Sequence, residues 1–179
     1  MDHCPEQDPR RSFLKKVLAT LFGTLAGLIP PVAGIAVILD PLRRKSAATE
    51  SIRVASLDAI PADGVPRKFP VLASRTDAWT KSPNTPIGAV YIRRTGPSTV
   101  EVLNVVCPHA GCFVDFVPDR KGYFCPCHNS SFDPTGKIND PKSPSPRDLD
   151  TLEWEVRNGR EVYVKFRNFR AGHKEKLPA

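Results

Sequence analysis

The sequence predicts an all-β head that is preceded by a single membrane-spanning helix. Residues 88–93 and 99–105 are rich in strand-forming side chains and lie on either side of a Gly-Pro-Ser turn. Further along, apolar residues alternate with polar ones on both sides of Asn158-Gly159, a dipeptide that strongly favours a tight hairpin. Near the N-terminus, residues 17–39 carry no charge. Together these observations predict a membrane anchor followed by a β domain over residues 51–170.

The uncharged stretch of residues 17–39 is long enough to cross a bilayer. Twenty-three residues in a helix reach roughly 35 Å, slightly more than the hydrocarbon core. Pro30 and Pro31 are expected to kink this helix, which membrane helices tolerate better than soluble ones. A buried soluble helix and a signal segment cleaved near residues 33–36 are the alternatives. We expect a retained anchor, because the apolar run continues through Leu39.

Basic residues flank the apolar stretch on both sides. Residues 10–15, Arg-Arg-Ser-Phe-Leu-Lys, match a twin-arginine export signal within a signal region of residues 1–16. An ordinary positive flank is the alternative, and residues 43–45 are basic too, so charge alone does not orient the helix. We expect recognition by the twin-arginine export machinery, a cytoplasmic N-terminus and a periplasmic head. Residues 40–50 are then a linker, either a hinge or a plain tether.

Four of the five cysteines and two of the four histidines lie in two short motifs. The motifs are Cys107-Pro-His109-Ala-Gly-Cys112 and Cys125-Pro-Cys127-His128-Asn-Ser130. Each motif can bring one Cys/His couple to a small site, and iron–sulfur clusters require thiolates. A tetrahedral zinc site with two cysteines and two histidines, or a pair of structural disulfides, are the alternatives.

The double motif resembles that of the Rieske iron–sulfur proteins, in which two cysteines and two histidines hold a 2Fe–2S cluster. The resemblance implies that Cys107 and Cys125 bind one iron, whereas His109 and His128 bind the other. Replacing two thiolates by neutral imidazoles removes negative charge, and this raises the reduction potential above that of an all-cysteine cluster.

The resemblance also assigns the two remaining cysteines of the motifs. In the family, the counterparts of Cys112 and Cys127 form a disulfide that ties the two loops together, which requires an oxidising compartment. Oxygenase-type relatives lack these extra cysteines, so their presence points to the quinol-oxidising complexes. The implied fold is an antiparallel β head in three layers. Its smaller cluster-binding part covers about residues 105–146, and residues 171–179 form a tail.

Two residues beside the ligands are expected to set the reduction potential. Ser130 stands where relatives place a serine whose hydroxyl donates to a bridging sulfide; a loop serine that bonds the backbone is the alternative. Phe132 stands where high-potential relatives carry a tyrosine that donates to the sulfur of Cys107. Because phenylalanine cannot donate, we expect a lower potential, which suits menaquinol as the donor. Residues 139–146 resemble the proline-rich loop that covers the cluster from a third side.

The resemblance implies the Rieske subunit of a bacterial cytochrome bc-type quinol–cytochrome c reductase. Quinol, bound beside a cytochrome b-type subunit, would pass a proton to His128 or His109 and one electron to the cluster. A c-type cytochrome would receive the electron, and the isolated chain would not be catalytic. The small Rieske subunit of an arsenite-oxidase-like molybdenum enzyme is the alternative. An oxygenase is disfavoured, since only His3 and His173 remain outside the motifs for a further iron site.

The charge distribution predicts no nucleic-acid partner. The chain has 26 basic and 19 acidic residues and a net charge of +7. The excess is scattered along the sequence, whereas nucleic-acid binding domains concentrate it in a basic helix or stripe.

Overall fold

The computed structural model describes residues 9–43, 51–76 and 80–179, which belong to two compact units. The first unit contains helix α1, Pro9–Arg43. Proline suits the first helical position, because its missing N–H would have no partner there. The helix begins before and ends after the predicted span of residues 17–39, and it continues without a break through Pro30 and Pro31. It therefore includes the twin arginines in its first turn.

Helix α1 has the length and composition of a membrane span. An 18-residue window within its segment Arg10–Asp40 has a mean hydropathy of 2.0, and none of that window is buried inside the protein. The hydroxyls of Thr20 and Thr24 donate to backbone carbonyls one turn earlier, so these polar groups are satisfied within the helix. Residues 1–8 of the predicted signal region and 44–50 of the predicted linker lie outside the described residues.

The described part of the second unit contains nine strands in three antiparallel sheets. The strands are β1 Ile52–Ser56, β2 Arg67–Thr76, β3 Lys81–Arg94, β4 Val100–Asn104, β5 Asp115–Val117, β6 Gly122–Cys125, β7 Ser130–Phe132, β8 Trp154–Arg157 and β9 Glu161–Val164. The sheets have the strand orders β1-β9-β8, β2-β3-β4 and β5-β6-β7. The predicted all-β head with antiparallel sheets is confirmed.

The first two sheets share one apolar core of mostly β-branched side chains. Its fully buried members include Val71, Val90, Val102 and Val164, which come from β2, β3, β4 and β9. Burying each such side chain contributes roughly 1.5–3 kcal/mol of transfer free energy. This core contains no residue of the two motifs.

A second core lies under the third sheet and contains both predicted thiol ligands. Its members are Tyr91, Leu103, Val105, Cys107, Val114, Tyr123, Cys125, Phe132 and Leu149. Strands β3 and β4 therefore contribute to both cores. The pairing of Tyr91 with Tyr123, whose ring centroids are 4.9 Å apart, packs the second sheet against the third.

The hairpin between β8 and β9 follows the sequence prediction. Asn158 and Gly159 have φ angles of +53° and +69°, as a tight two-residue turn requires. The predicted alternation of residues 162–166 is confirmed, because the apolar members are all buried. Strand β8 starts later than the alternation from Leu152 predicts, since the Leu152 N–H donates to the Val102 carbonyl of another sheet.

Residues 168–179, expected to end in a plain tail, fold back on themselves as the 168–179 hairpin. Its backbone hydrogen bonds run from Arg170 N–H to the Leu177 carbonyl at 2.9 Å and from Ala179 N–H to the Asn168 carbonyl at 3.0 Å. The sequence contains no apolar alternation here, and contacts with the rest of the head hold the segment instead.

Candidate metal centre

The first motif forms a tight turn between β4 and β5. The Cys107 N–H donates to the Cys112 carbonyl at 2.7 Å, and the Gly111 N–H donates to the Cys107 carbonyl at 3.0 Å. Gly111 has a φ of +81°, which glycine adopts without the strain that a side chain would add. This turn, residues 107–112, is the first loop, and it carries His109.

The second motif connects β6 to β7. Cys125 ends β6, Ser130 begins β7, and the two residues pair across the sheet. The Asn129 N–H donates to the Cys125 carbonyl at 3.0 Å, with Asn129 at a φ of +61° that asparagine tolerates well. Residues 126–129, all exposed, form the second loop, and it carries His128.

A disulfide between Cys112 and Cys127 joins the two loops, the pairing that the resemblance implies. Their Cα atoms are 6.7 Å apart. The sulfurs of these residues and of Cys125 lie within 4.8 Å of one another. However, a metal binds the thiolate form, which a cystine no longer offers, so these three residues do not form a three-thiolate site. The disulfide equally removes the Cys112 thiol that a two-cysteine, two-histidine zinc site would use.

The two motifs place their histidines together and their remaining cysteines together. The rings of His109 and His128 lie with centroids 4.8 Å apart and nearly perpendicular planes. The thiols of Cys107 and Cys125 hydrogen-bond to each other. Both cysteines are buried, with exposed fractions of 1% and 2%, whereas His109 is half-buried and His128 is exposed. The site therefore has a buried sulfur side and an imidazole side that faces solvent.

The electrostatics of the thiol pair suit a bound metal. Burial raises the pKa of the Cys125 thiol above its usual value, and the Cys107 thiol beside it raises that pKa further. Backbone N–H groups of Cys127 and His128 act in the opposite direction but more weakly than burial. Metal coordination displaces such protons, because the cation stabilises the thiolate in a site that water cannot solvate.

The Ser130 hydroxyl provides a direct test of fit to a 2Fe–2S cluster. Its Oγ is fully buried and has no hydrogen-bond partner among the described residues. Leaving a buried hydroxyl without a partner costs roughly 1–3 kcal/mol. A bridging sulfide is an acceptor for such a donor, so Ser130 fits the cluster. Within the described residues, it does not bond a backbone group as an ordinary loop serine does.

Phe132 and the proline-rich segment lie beside the second loop. Phe132 is fully buried in the second core and pairs with Tyr123 across β6 and β7. Ser131, which separates Ser130 from Phe132, contacts the proline-rich segment. Its N–H donates to Ser143 Oγ at 3.3 Å, and its carbonyl accepts from Asn139 N–H at 3.4 Å. Residues 139–143 are thereby fixed against the strand that follows the second motif.

Sequence reasoning missed a residue that holds the chain just after the first loop. The Tyr91 hydroxyl accepts a hydrogen bond from Phe116 N–H at 3.1 Å and donates to the Val114 carbonyl at 3.4 Å. Burial raises the pKa of the Tyr91 hydroxyl above its usual value. Tyr91 lies on β3 in a pattern typical of any buried strand, and no sequence signal marks this role.

These features define a chain with a double-loop iron–sulfur site on an antiparallel β head. The family model of the Rieske [2Fe-2S] domain matches residues 59–153. The chain belongs to the Rieske family, and its cofactor is a 2Fe–2S cluster.

Individual relatives extend this assignment. The chain is 33% identical over 155 residues to the menaquinol:cytochrome c reductase iron-sulfur subunit of Geobacillus thermodenitrificans, with 84% of this chain and 88% of that protein covered. It is 35% identical over 74 residues to the cytochrome b6-f complex iron-sulfur subunit of Trichodesmium erythraeum, a match over 40% of each chain. The plasma membrane Rieske protein of Synechocystis PCC 6803 aligns over 65% of this chain and 98% of its own, with 25% identity and a TM-score of 0.41.

Proposed function

We propose that this chain is the electron-transfer Rieske subunit of a bacterial membrane quinol–cytochrome c reductase. It accepts an electron and a proton from quinol, with menaquinol as the expected donor, and passes the electron to a c-type cytochrome. The chain serves as one subunit of this oxidoreductase and does not turn over quinol by itself. A relative that is 33% identical across 84% of this chain is a menaquinol:cytochrome c reductase iron-sulfur subunit, which supports the assignment.

The observation that carries the proposal is the difference in exposure between the two sides of the site. Both thiols are almost completely buried, whereas His128 is exposed and His109 is half-buried. A donor in solution or in a membrane partner therefore meets an imidazole and not a thiolate. An exposed imidazole can form a hydrogen bond with a quinol hydroxyl, and buried thiolates are protected from oxidation and exchange.

We assign Cys107 and Cys125 to one iron, and His109 and His128 to the other. When bound, the 2Fe–2S cluster supplies one-electron redox chemistry. The ring nitrogen of His128, or of His109 beside it, that does not hold iron would, when deprotonated, accept the hydrogen bond and then the proton of the quinol hydroxyl. Imidazole suits this step because imidazole groups gain and lose protons near neutral pH, and the charge of a bound metal shifts this equilibrium. The buried Ser130 hydroxyl, which has no partner among the described residues, would donate to a cluster sulfur.

We further propose that α1 is a retained anchor with its N-terminus in the cytoplasm and the head on the periplasmic side. The length and hydropathy of the helix support the anchor. The Cys112–Cys127 disulfide supports the sidedness, since such bonds persist in oxidising compartments. Arg10 and Arg11 at the start of α1 would be read by the twin-arginine machinery, which exports folded proteins. Residues 40–50 would then be the linker between the anchor and the head, either a hinge or a plain tether.

The cofactor and electron-transfer role are tested on the protein purified from membranes. We expect about two iron atoms per chain, the stoichiometry of this cluster type, and an electron paramagnetic resonance (EPR) signal after reduction. The signal should also appear when a menaquinol analogue is added together with the cytochrome b-type partner. An iron-free, zinc-loaded protein would overturn the proposal. Copurification with a large molybdopterin subunit would instead identify the chain as the small subunit of an arsenite-oxidase-like enzyme.

The proposed export route is tested by changing Arg10 and Arg11 together to lysine. This variant keeps the positive charge of the flank, so an ordinary positive-inside signal would still function. We expect the head to remain in the cytoplasm, measured by protease accessibility in spheroplasts. A variant whose head reaches the periplasm with its cluster intact would show that the twin arginines are only a charged flank.

A further inference from the structure

The 168–179 hairpin contacts the first loop next to a proposed ligand. The Gly172 N–H donates a hydrogen bond of 2.8 Å to the Pro108 carbonyl. That carbonyl belongs to the peptide group that links Pro108 to His109. The two internal hydrogen bonds of the first loop lie around Cys107, so the Gly172 contact restrains a part of the loop that they leave free.

The hairpin can act as a restraint because it is itself anchored beside this contact. The His173 carbonyl accepts a 2.6 Å hydrogen bond from the Arg147 guanidinium. Arg147 also makes two hydrogen bonds, 3.0 Å and 2.8 Å long, to the carboxylate of Asp150. Both side chains of this ion pair are nearly buried, with exposed fractions of 10% and 5%. Gly172 is therefore adjacent to a residue held by a rigid, charge-assisted pair.

A second anchor connects the start of the hairpin to the segment that enters the first loop. The buried Asn104 side chain donates to the Arg167 carbonyl at 3.0 Å and to Asn168 Oδ1 at 3.1 Å. The same side chain accepts the Val106 N–H at 3.0 Å. One amide group thus positions both the residue before Cys107 and the segment that leads into the hairpin.

We propose that the 168–179 hairpin is a positioning element for the metal centre. Through the Gly172 amide it fixes the Pro108–His109 peptide and so the direction in which the His109 ring points. The inference rests on the proposed role of His109 as an iron ligand. Groups that orient a ligand from outside the metal's own shell tune the metal's properties, so this contact sets the electronic environment of the histidine-bound iron.

Gly172 permits a substitution with an internally matched control. Its φ is +78°, and a Cβ added there would come no closer than 3.8 Å to a neighbouring atom, the His109 carbonyl oxygen. Gly159 in the β8–β9 turn has a φ of +69°, and a Cβ there would meet nothing within 4 Å. Alanine at either position therefore introduces the same kind of backbone strain without a collision. Gly172, unlike Gly159, donates to the first loop.

The experiment compares three variants of the cluster-loaded protein: Gly172→Pro, Gly172→Ala and Gly159→Ala. Proline at 172 removes the donor outright and cannot adopt the positive φ. We expect Gly172→Pro to accelerate amide hydrogen exchange in the first loop by roughly three- to tenfold, as for loss of one hydrogen bond. Gly172→Ala keeps the donor but strains its backbone, so we expect a smaller acceleration. We also expect both Gly172 variants to shift the g values of the reduced cluster. Gly159→Ala should lower the melting temperature but keep the parent's first-loop exchange and g values.

The outcomes separate this inference from the proposed function. A parent protein without the 2Fe–2S signal overturns the proposed function and this inference with it. If the parent has the signal and folded Gly172→Pro protein keeps the parent's exchange and g values, only the positioning role is overturned. Should Gly172→Pro fail to fold, the same comparison between Gly172→Ala and Gly159→Ala decides. Identical behaviour of those two variants would show that the hairpin contributes stability alone.

Discussion

The two loops of the metal centre are held in different ways. The second loop is stabilised by its own hairpin, since Cys125 pairs with Ser130 and the only further backbone bond described within it is local. The first loop has an internal turn too, but distant residues also restrain its surroundings. Tyr91 bonds the chain that follows it, and Gly172 bonds the Pro108 carbonyl inside it.

The second loop is therefore a local structure, whereas the first loop depends on the assembled head. The backbone hydrogen bonds described within the second loop and between its two flanking strands involve only β6, β7 and the loop itself, which are adjacent in the chain. The first loop needs β3 and the 168–179 hairpin, which lie before and after it. Substitutions far away in sequence should therefore disturb the first loop more readily than the second.

The largest effect is expected where the two loops are equivalent, at the buried thiols. Cys107→Ala and Cys125→Ala should each abolish iron binding, because a 2Fe–2S cluster needs both thiolates on one iron. Iron analysis and EPR of the purified variants provide the measurement. Cys4→Ala, at the one cysteine outside the motifs and outside the described residues, is the control and should keep the parent's iron content. Iron retained in either motif variant would refute the ligand assignment.

Breaking the covalent connection between the loops should have the next largest effect. The double variant Cys112→Ala, Cys127→Ala opens a cross-link with a sequence separation of 15 residues. A disulfide that closes a loop of this length stabilises the folded protein by about 3 kcal/mol. We expect the guanidinium midpoint for cluster loss to fall accordingly, measured from visible absorbance. An unchanged midpoint would mean that hydrogen bonds alone keep the loops together.

The buried hydroxyl of the second loop should affect the potential and not the fold. Ser130→Ala removes a donor without a protein partner, so stability should change little and the midpoint potential should fall. One hydrogen bond to an anionic sulfur contributes on the order of 1–2 kcal/mol, or roughly 40–90 mV for one electron. Ser131→Ala is the matched control, because that hydroxyl bonds Asn139 instead. Equal potentials in the two variants would remove the role proposed for Ser130.

Phe132→Tyr tests whether the absence of a tyrosine hydroxyl at this position lowers the reduction potential of the cluster. The ring is fully buried in the second core together with Cys107, so an added hydroxyl can gain a sulfur acceptor. We expect the midpoint to rise by roughly 40–90 mV, by the same conversion. Potentiometric titration of both proteins at one pH is the measurement. An unchanged or lowered midpoint with an intact cluster would show that Phe132 only packs, and the argument for menaquinol would be lost.

The smallest effect should be confined to the first loop and the chain that directly follows it. Tyr91→Phe keeps the ring but removes the hydroxyl that bonds Val114 and Phe116. We expect about 1 kcal/mol of lost stability, with faster hydrogen exchange in the first loop and at residues 114–116 that follow it, but not in the second loop. Tyr163→Phe, whose ring lies 4.2 Å from the Arg157 guanidinium carbon, is the control. Equal acceleration in both loops would contradict the distinction between them.

Much of this protein could be predicted from its sequence because the signals are local. The β8–β9 hairpin follows from Asn158-Gly159, whose positive φ angles depend on those two residues. The candidate membrane span follows from an uncharged stretch whose length is a property of the chain alone. The family follows from two motifs of six residues each, in which the spacing of cysteine and histidine is itself the signal.

Tertiary structure decided how these parts are supported. Nothing in the sequence indicates that Tyr91 bonds the chain after the first loop, since 25 residues separate it from Phe116. Residues 171–179, expected to be a tail, belong to a hairpin bonded to that loop. Asn104 bonds the Asn168 side chain and Arg147 bonds the His173 carbonyl, both from elsewhere in the head. Hydrogen bonds between distant segments form only when the chain is folded, and either partner alone resembles an ordinary polar residue. The identity of the site could therefore be predicted from the local spacing of cysteine and histidine. The way in which the first loop is held depends on long-range contacts.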